Sequence, residues 1–392
     1  MSLLAPSNRD RAMSLTSPDH WRRPRGDATF ALAILAIGVL TVFILSRGGT
    51  ALNPAASPRS SAVATPGKTT PTQPSAAVVV PATVRAYLMP NENADLMLPA
   101  VDAQGNVWFG EMGTNKLGRL DPRTGAVTTW TPPGGQFGIM GIVAGPDGAI
   151  WFAEQAANYI GRFDPGTTQF RVFPLERSQG RPTAPQSVAF DTHGKLWFTG
   201  VTSGTIGRLD PNSGLTTTWR VPGGSASAPA YPFGLALTPD GGVWFAELAG
   251  GTLGRLDPTS GQFRLYHSPT RDAQVFSLAA APDGRLWFSE LQYGRLGVLD
   301  PRTGAVREIA IPGPVAPAQN IYQVAVAANG DVWVPSLGEN ALVRYTPSSG
   351  TFTIYTLSAE RSQPYGLTLD AAGHVWFTAD LDPKNFVGML TP

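Results

Sequence analysis

From about residue 82 to the C-terminus, apolar positions come in short runs separated by turn signals. In residues 141–175 the runs read GIVAG, AIWFAE, YIGRFD and QFRVFPL, with Pro-Asp-Gly after the first and an Asp-Pro turn after the third. Runs this short, rich in aromatic and β-branched residues and bounded by Gly, Pro and Asp, predict four β-strands. The second run is apolar at every position except its last, so the strand it predicts is covered on both faces. The third-to-fourth connection is spelled DPRTG at 121 and 300, DPNSG at 210 and DPTSG at 257, which is the chemistry of a type I turn.

This four-strand unit recurs. Its Trp falls at 108, 151, 197, 244, 287, 333 and 376, a period in the mid-forties. Seven such units predict a seven-bladed β-propeller, all-β, in which each sheet packs on its two neighbours and the Trp fills the space between them. The last unit ends at FVGMLTP, a third strand with no fourth. Residues 82–89, ATVRAYLM, precede the first unit and supply the missing piece. An N-terminal strand that closes the seventh blade leaves no blade short.

The preceding segment differs in kind. Residues 28–45, ATFALAILAIGVLTVFIL, are uncharged and apolar, and Arg9, Arg11, Arg22, Arg23 and Arg25 lie before them. The expected organisation is a cytoplasmic basic leader over 1–27, a transmembrane anchor over 28–46, a disordered Pro/Ser/Thr/Ala linker over 47–81 and the propeller over 82–392. A cleaved signal peptide, with secretion of the rest, is the alternative. The expected location is the cell membrane, single-pass, with the propeller outside the cytoplasm.

Composition narrows the chemistry. The chain of 392 residues has 29 basic and 28 acidic residues and no Cys. Thiolate chemistry and disulfides are excluded, and no basic excess points to nucleic acid. The chain is expected to act as a monomer.

Alternating strand direction puts the start of each first strand and the end of each second strand at one mouth of the ring. Eleven residues before each Trp stand Met97, Met140, Gln186, Phe233, Phe276, Tyr322 and Tyr365. This ring, together with Gln363, is the expected contact for a small-molecule, peptide or glycan ligand; a plugged channel is the bland alternative. Three residues after the Trp stand Glu111, Glu154, Gly200, Glu247, Glu290, Ser336 and Ala379, the last followed by Asp380. These carboxylates could hold a hard cation, or each could form an ion pair with the Arg eleven residues after the Trp, at 119, 162, 208, 255 and 344. Asp147, Asp240 and Asp283 belong to turns. Of the four histidines, His20 precedes the apolar stretch, His193 and His374 fall in turns at the opposite face, and His267 ends an outer strand at the rim.

The text WF-x-E, a short gap, IGR and a DP turn resembles the streptogramin lyase (virginiamycin B lyase) family over about residues 82–392. The resemblance implies a seven-bladed propeller that uses magnesium to open a cyclic depsipeptide lactone by elimination. It also implies a His opening the sixth blade, a Glu-Pro-His triplet in the seventh, and a Glu after the last WF strand. Those positions here are Tyr322, then Gln363, Pro364 and Tyr365, then Asp380. A base matched to working pH is thereby lost, and Gln363 removes a negative ligand. The expected function is an extracytoplasmic ligand-binding propeller with the family's catalytic set substituted and no cofactor. The alternative is a divergent magnesium-dependent lyase in which Tyr322, Tyr365 and Asp380 act, with Asp380 and Glu290 as metal ligands. A protein-interaction scaffold is a further alternative.

Overall fold

The computed structural model describes residues 12–14 and 77–392, apart from 135–137, 225–228, 271–272, 292, 314–319, 359–361 and 382–383. The apolar stretch 28–45 and the linker as far as residue 76 lie outside the described residues. Among those described, no helix is long and apolar enough to cross a membrane.

Each repeat forms one antiparallel sheet in which its strands neighbour one another in chain order, giving the seven predicted blades. In the second blade the strands are Ile139–Ala144, Ile150–Glu154, Tyr159–Asp164 and Gln169–Pro174. The seventh has Pro364–Leu369, Val375–Leu381 and Lys384–Leu390 from the C-terminus. Its fourth strand is Val84–Leu88, antiparallel to Lys384–Leu390, as the complementary chain ends predict. One part of the linker assignment is corrected. Ala77–Pro81 is a strand, paired parallel with Thr351–Thr356 as a fifth member of the sixth blade. Its AVVVP sequence is β-branched enough to extend an existing edge, which averaging over a Pro- and Ser-rich segment concealed.

Strand register explains the recurring WF…GR text. In the first five blades the Phe after the Trp lies across from the Gly ten residues after that Trp, as in Phe245 and Gly254, and in the seventh Phe377 faces Gly388, twelve after Trp376. The ring fills the space a side chain would need. A Cβ on Gly254 or Gly297 would stand 1.9 Å from Cζ of Phe245 or Phe288, and one on Gly207 2.1 Å from Phe198. The sixth blade has exchanged both members: Val334 faces Val343. Large-against-small and medium-against-medium fill the same volume, which is what close packing demands.

Register also places the Arg. It lies across from the Trp, as Arg162 does from Trp151, and not across from the Glu, which faces Tyr159. The Glu–Arg ion pair is therefore incorrect. Hairpin pairing fixes the sum of partner numbers, and that sum sends the Glu to the residue eight after the Trp. The guanidinium instead lies over the indole, at 5.6 to 6.0 Å in the first, second, third, fourth and sixth blades. In the fifth blade Val298 takes the Arg position, and Arg285, just before the strand of Trp287, covers its ring at 5.9 Å. The first-to-second-strand turn completes the clasp. Asp102, Asp191 and Asp370 accept the indole N–H of Trp108, Trp197 and Trp376 at 2.7 to 2.9 Å. Asp147 accepts from both Trp151 and Arg162. The turn aspartates Asp147, Asp240 and Asp283 each pair with an Arg, consistent with a structural role.

Substituting Gly254→Ala should destabilise the protein by about 1–3 kcal/mol through overpacking against Phe245. Adding Phe245→Val, as in the sixth blade, should recover most of that loss in urea or thermal melts. If the two losses simply add, this packing account is wrong.

Candidate functional site

The mouth residues reach the axis through a backbone irregularity. In five blades the first strand carries an extra residue between its first and second pairings: Ile139/Ile142, Pro185/Val188, Pro232/Leu235, Val275/Leu278 and Pro364/Leu367. Met140, Gln186, Phe233, Phe276 and Tyr365 each sit inside that bulge. A bulge breaks the ladder and re-aims a side chain, which suits a residue that must leave its blade to meet its counterparts.

Four of the seven meet as predicted. Phe233 and Phe276 have ring centroids 4.5 Å apart, Phe276 and Tyr322 5.4 Å, and Tyr322 and Tyr365 4.6 Å. These contacts form one aromatic arc across the fourth to seventh blades, backed by Leu248 and Leu291. On the other side Met97 and Met140 are buried, and buried Gln186 accepts from Gln155 Nε2 at 2.7 Å. Burial raises the phenols of Tyr322 and Tyr365 above their ordinary pKa, and the neighbouring Tyr322 adds to the effect at Tyr365. Both therefore stay protonated at neutral pH, the wrong direction for a base.

The remaining family positions lie beside Tyr365. Gln363 adopts a left-handed backbone, φ 46°, and its carbonyl accepts from Asp380 N–H at 3.4 Å. The Asp380 carboxylate accepts from Asn385 Nδ2, and Asn385 Oδ1 in turn accepts from Ala94 N–H of the first blade at 2.8 Å. Gln363, Tyr365 and Asp380 thus share one blade end, with Tyr322 next to them from the sixth blade. Among the described residues no three His, Asp or Glu side chains gather as a metal site, and a neutral Gln363 replaces an anionic donor. The residues present do not fit a magnesium ion, so no chemical step is derived through one.

The Glu ring divides by partner. Glu111 accepts from Asn91 at 2.8 Å and Thr114 at 2.5 Å, and half-buried Glu247 accepts from Tyr231 N–H at 3.0 Å. Glu154 is 1 % exposed, and its oxygens make no hydrogen bond beyond a weak one from the Ala157 backbone. Burial pushes its carboxyl up to about 8, opposed only by the Ala157 backbone.

Glu290 belongs to a network that the sequence reading missed. The Ser268 hydroxyl lies 2.5 Å from Glu290 Oε1 and 2.7 Å from Glu308 Oε1. One hydroxyl has one hydrogen, so one of the two carboxyls must itself donate. Burial pushes Glu290 to about 8, which the Ser268 bond lowers and the Glu308 charge raises. Burial also acts on Glu308, but bonds from Ser268 and from the Thr270 hydroxyl and backbone outweigh it and hold it low; Arg295 closes the group at 3.0 Å. The proton therefore resides on Glu290. Two signals were available: Arg295 is the Glu partner by hairpin register, and Glu308 interrupts the inward phase of an outer strand.

The histidines lie away from the axis. His374 bonds Asp370 in its turn, His193 is exposed in another, and His267 meets Thr252 across an outer strand pair. Across the row Pro232, Glu247, Thr252 and His267, three strand spacings of roughly 4.8 Å separate His267 from the inner strand. A separate cleft of about 330 Å³, lined by Leu175, Glu176, Arg177, Thr183, Thr205 and Thr216 among others, contains none of the predicted site residues.

Comparison with known proteins agrees with the repeat text. The profile of the virginiamycin B lyase family matches residues 70–344 and 259–386, and the chain belongs to that family. No curated protein matches in sequence. Virginiamycin B lyase from Staphylococcus aureus is 24 % identical, with 79 % of this chain and 99 % of that one covered and a TM-score of 0.71. A catalytically inactive His-to-Ala variant of it has been solved with quinupristin, with 24 % identity, the same two coverages and a TM-score of 0.70. A streptogramin B lyase is 26 % identical over 79 % of this chain and 97 % of its own, TM-score 0.70. The extracellular domain of a one-component system from B. thetaiotaomicron shares the fold at 17 % identity, covering 77 % of this chain and 41 % of that one, TM-score 0.63.

A carboxyl kept neutral by burial stabilises the fold fully below its unfolded pKa, near 4.5, and loses that contribution as pH rises toward 8. Glu154→Gln should therefore leave stability nearly unchanged at pH 4. At pH 8.5 it should raise stability by on the order of 3 kcal/mol. Denaturant melts at the two pH values check this.

Proposed function

We propose that this member of the virginiamycin B lyase family is an extracytoplasmic, membrane-anchored propeller that binds a ligand at its mouth and does not linearise streptogramins. The observation that carries the reading is the Tyr322–Tyr365 contact at the sixth and seventh blade ends. The family resemblance expects two imidazoles there. Two phenols raised above their ordinary pKa occupy the places instead.

Proton abstraction next to a carbonyl needs a group that is largely deprotonated at working pH and free to take a proton. A buried phenol fails on the first count. Protonated, the same pair keeps its O–H groups as donors, with Tyr365 partly exposed and Tyr322 buried beside it. With Phe233 and Phe276 it forms a continuous aromatic wall suited to the planar or apolar side chains of a cyclic peptide or other small molecule. The arginine-rich leader and the apolar stretch 28–45 support anchoring with the propeller outside, and the likeness to the extracellular domain of a one-component system is compatible with that placement.

Incubating the purified chain with quinupristin and magnesium should give no ring opening above the uncatalysed rate. Enzyme-like opening that disappears in Tyr365→Phe would overturn the reading. In a binding titration with the same peptide, Phe276→Ala should weaken affinity about tenfold, equivalent to roughly 1.4 kcal/mol.

A further inference from the structure

The N-terminal segment crosses the seam on which the candidate site stands. Ala77–Pro81 lies on the outer edge of the sixth blade, and after two residues Val84–Leu88 joins the seventh beside Lys384–Leu390, with Ala12–Ser14 paired on its other side. The segment then reaches the first blade: the Tyr87 hydroxyl donates to Pro122 O at 3.3 Å, and its ring belongs to the cluster containing Val107, Phe109 and Leu120. The site is divided in the same way, with Tyr322 from the sixth blade and Gln363, Tyr365 and Asp380 from the seventh.

The two features are joined by continuous packing. Val80, Ala82, Val84 and Ala86 pack in one cluster with Leu342, Tyr355 and Leu357 of the sixth blade and Leu367, Phe377 and Ala379 of the seventh. Ala379 is next to Asp380 and pairs with Pro364, between Gln363 and Tyr365. The first strand is fastened at its end by two bonds, Ala82 N–H to Thr356 O at 2.9 Å and the Thr356 hydroxyl to Val80 O at 3.3 Å. It is also the most exposed part of the segment, with Val78 at 50 % and Val79 at 61 %.

We infer that residues 77–88 form a belt setting the closure of the seam between the sixth and seventh blades, and that strand 77–81 is its release point. Local openings begin where burial is least, and here that place is joined directly to the chain upstream. Any pull, binding event or cut acting on the chain immediately before residue 77 is transmitted first to strand 77–81, next to the seam and then to the Tyr322–Tyr365 contact. This coupling holds whatever the mouth binds, so its failure and that of the ligand-binding reading are distinguishable.

Hydrogen–deuterium exchange on the full chain tests the belt. Val80→Asp places a charge against the shared cluster, whereas Val79→Asp changes an exposed position on the same strand. The first should speed exchange about tenfold or more in peptides covering 351–357, 364–369 and 384–390 while leaving the second to fourth blades unchanged. The second should leave all of these unchanged. If Val80→Asp prevents folding, Val80→Ala and Thr356→Val serve in its place with a smaller change in the same peptides. A response confined to residues 77–81, or spread evenly over all seven blades, overturns the inference.

Discussion

The structure depends on how one sheet face is filled. Each blade must be apolar on both sides, yet adjacent strands within it stand only about 4.8 Å apart. The Phe after the Trp cannot lie flat unless its cross-strand neighbour has no side chain, and the Gly of the IGR text provides that. Once the Phe is seated, the Trp faces the next blade and the Arg across from it covers its ring. The Asp or Thr of the preceding turn then accepts the indole N–H. The repeated sentence is a description of this single packing unit. Its most informative copy is the sixth, where Phe and Gly have both become Val.

From this unit follows the separation between scaffold and site. The Trp–Arg–Asp clasp occupies the turn face and uses the charges that could otherwise be mistaken for chemistry. The mouth face is left to residues that the clasp does not constrain, released from their ladders by bulges. Here charge behaves differently. Glu154 is buried almost without partners and Glu290 is buried sharing Ser268 with Glu308, and in both the cheapest response is to hold a proton. Ser268 makes this visible at Glu290, because its one hydrogen cannot satisfy two anions at once.

Membership of the lyase family is compatible with the residues at Tyr322, Gln363, Tyr365 and Asp380 for the same reason. The packing unit that defines the family lies in strands and turns around the whole ring. The positions at which the resemblance expects reactive groups stand at blade ends and carry no packing duty for the repeat, so they can change without loss of the fold. Two of those positions, Tyr322 and Tyr365, are aromatic and continue the contacts of Phe233 and Phe276. The belt of residues 77–88 passes outside the same two blades.

The sequence determined the blade number, the strand order, the closing N-terminal strand and the alignment of two rings at one mouth. All of these are properties of a period and an offset, and a repeated text states them directly. It also stranded His193, His267 and His374 away from the axis, because strand order fixes their layer. Tertiary structure alone decided which side chains meet. The Glu–Arg pairing failed because contact depends on hairpin register, which spacing from the Trp does not reveal. Ser268 and Glu308 are 40 residues apart and became partners only when an inter-blade connection folded over an outer strand. Strand 77–81 needed the edge of the sixth blade before its valines had anything to pair with. Periodicity fixes where a residue stands in the ring, whereas its neighbours, and hence its protonation and its chemistry, come from segments distant in the chain.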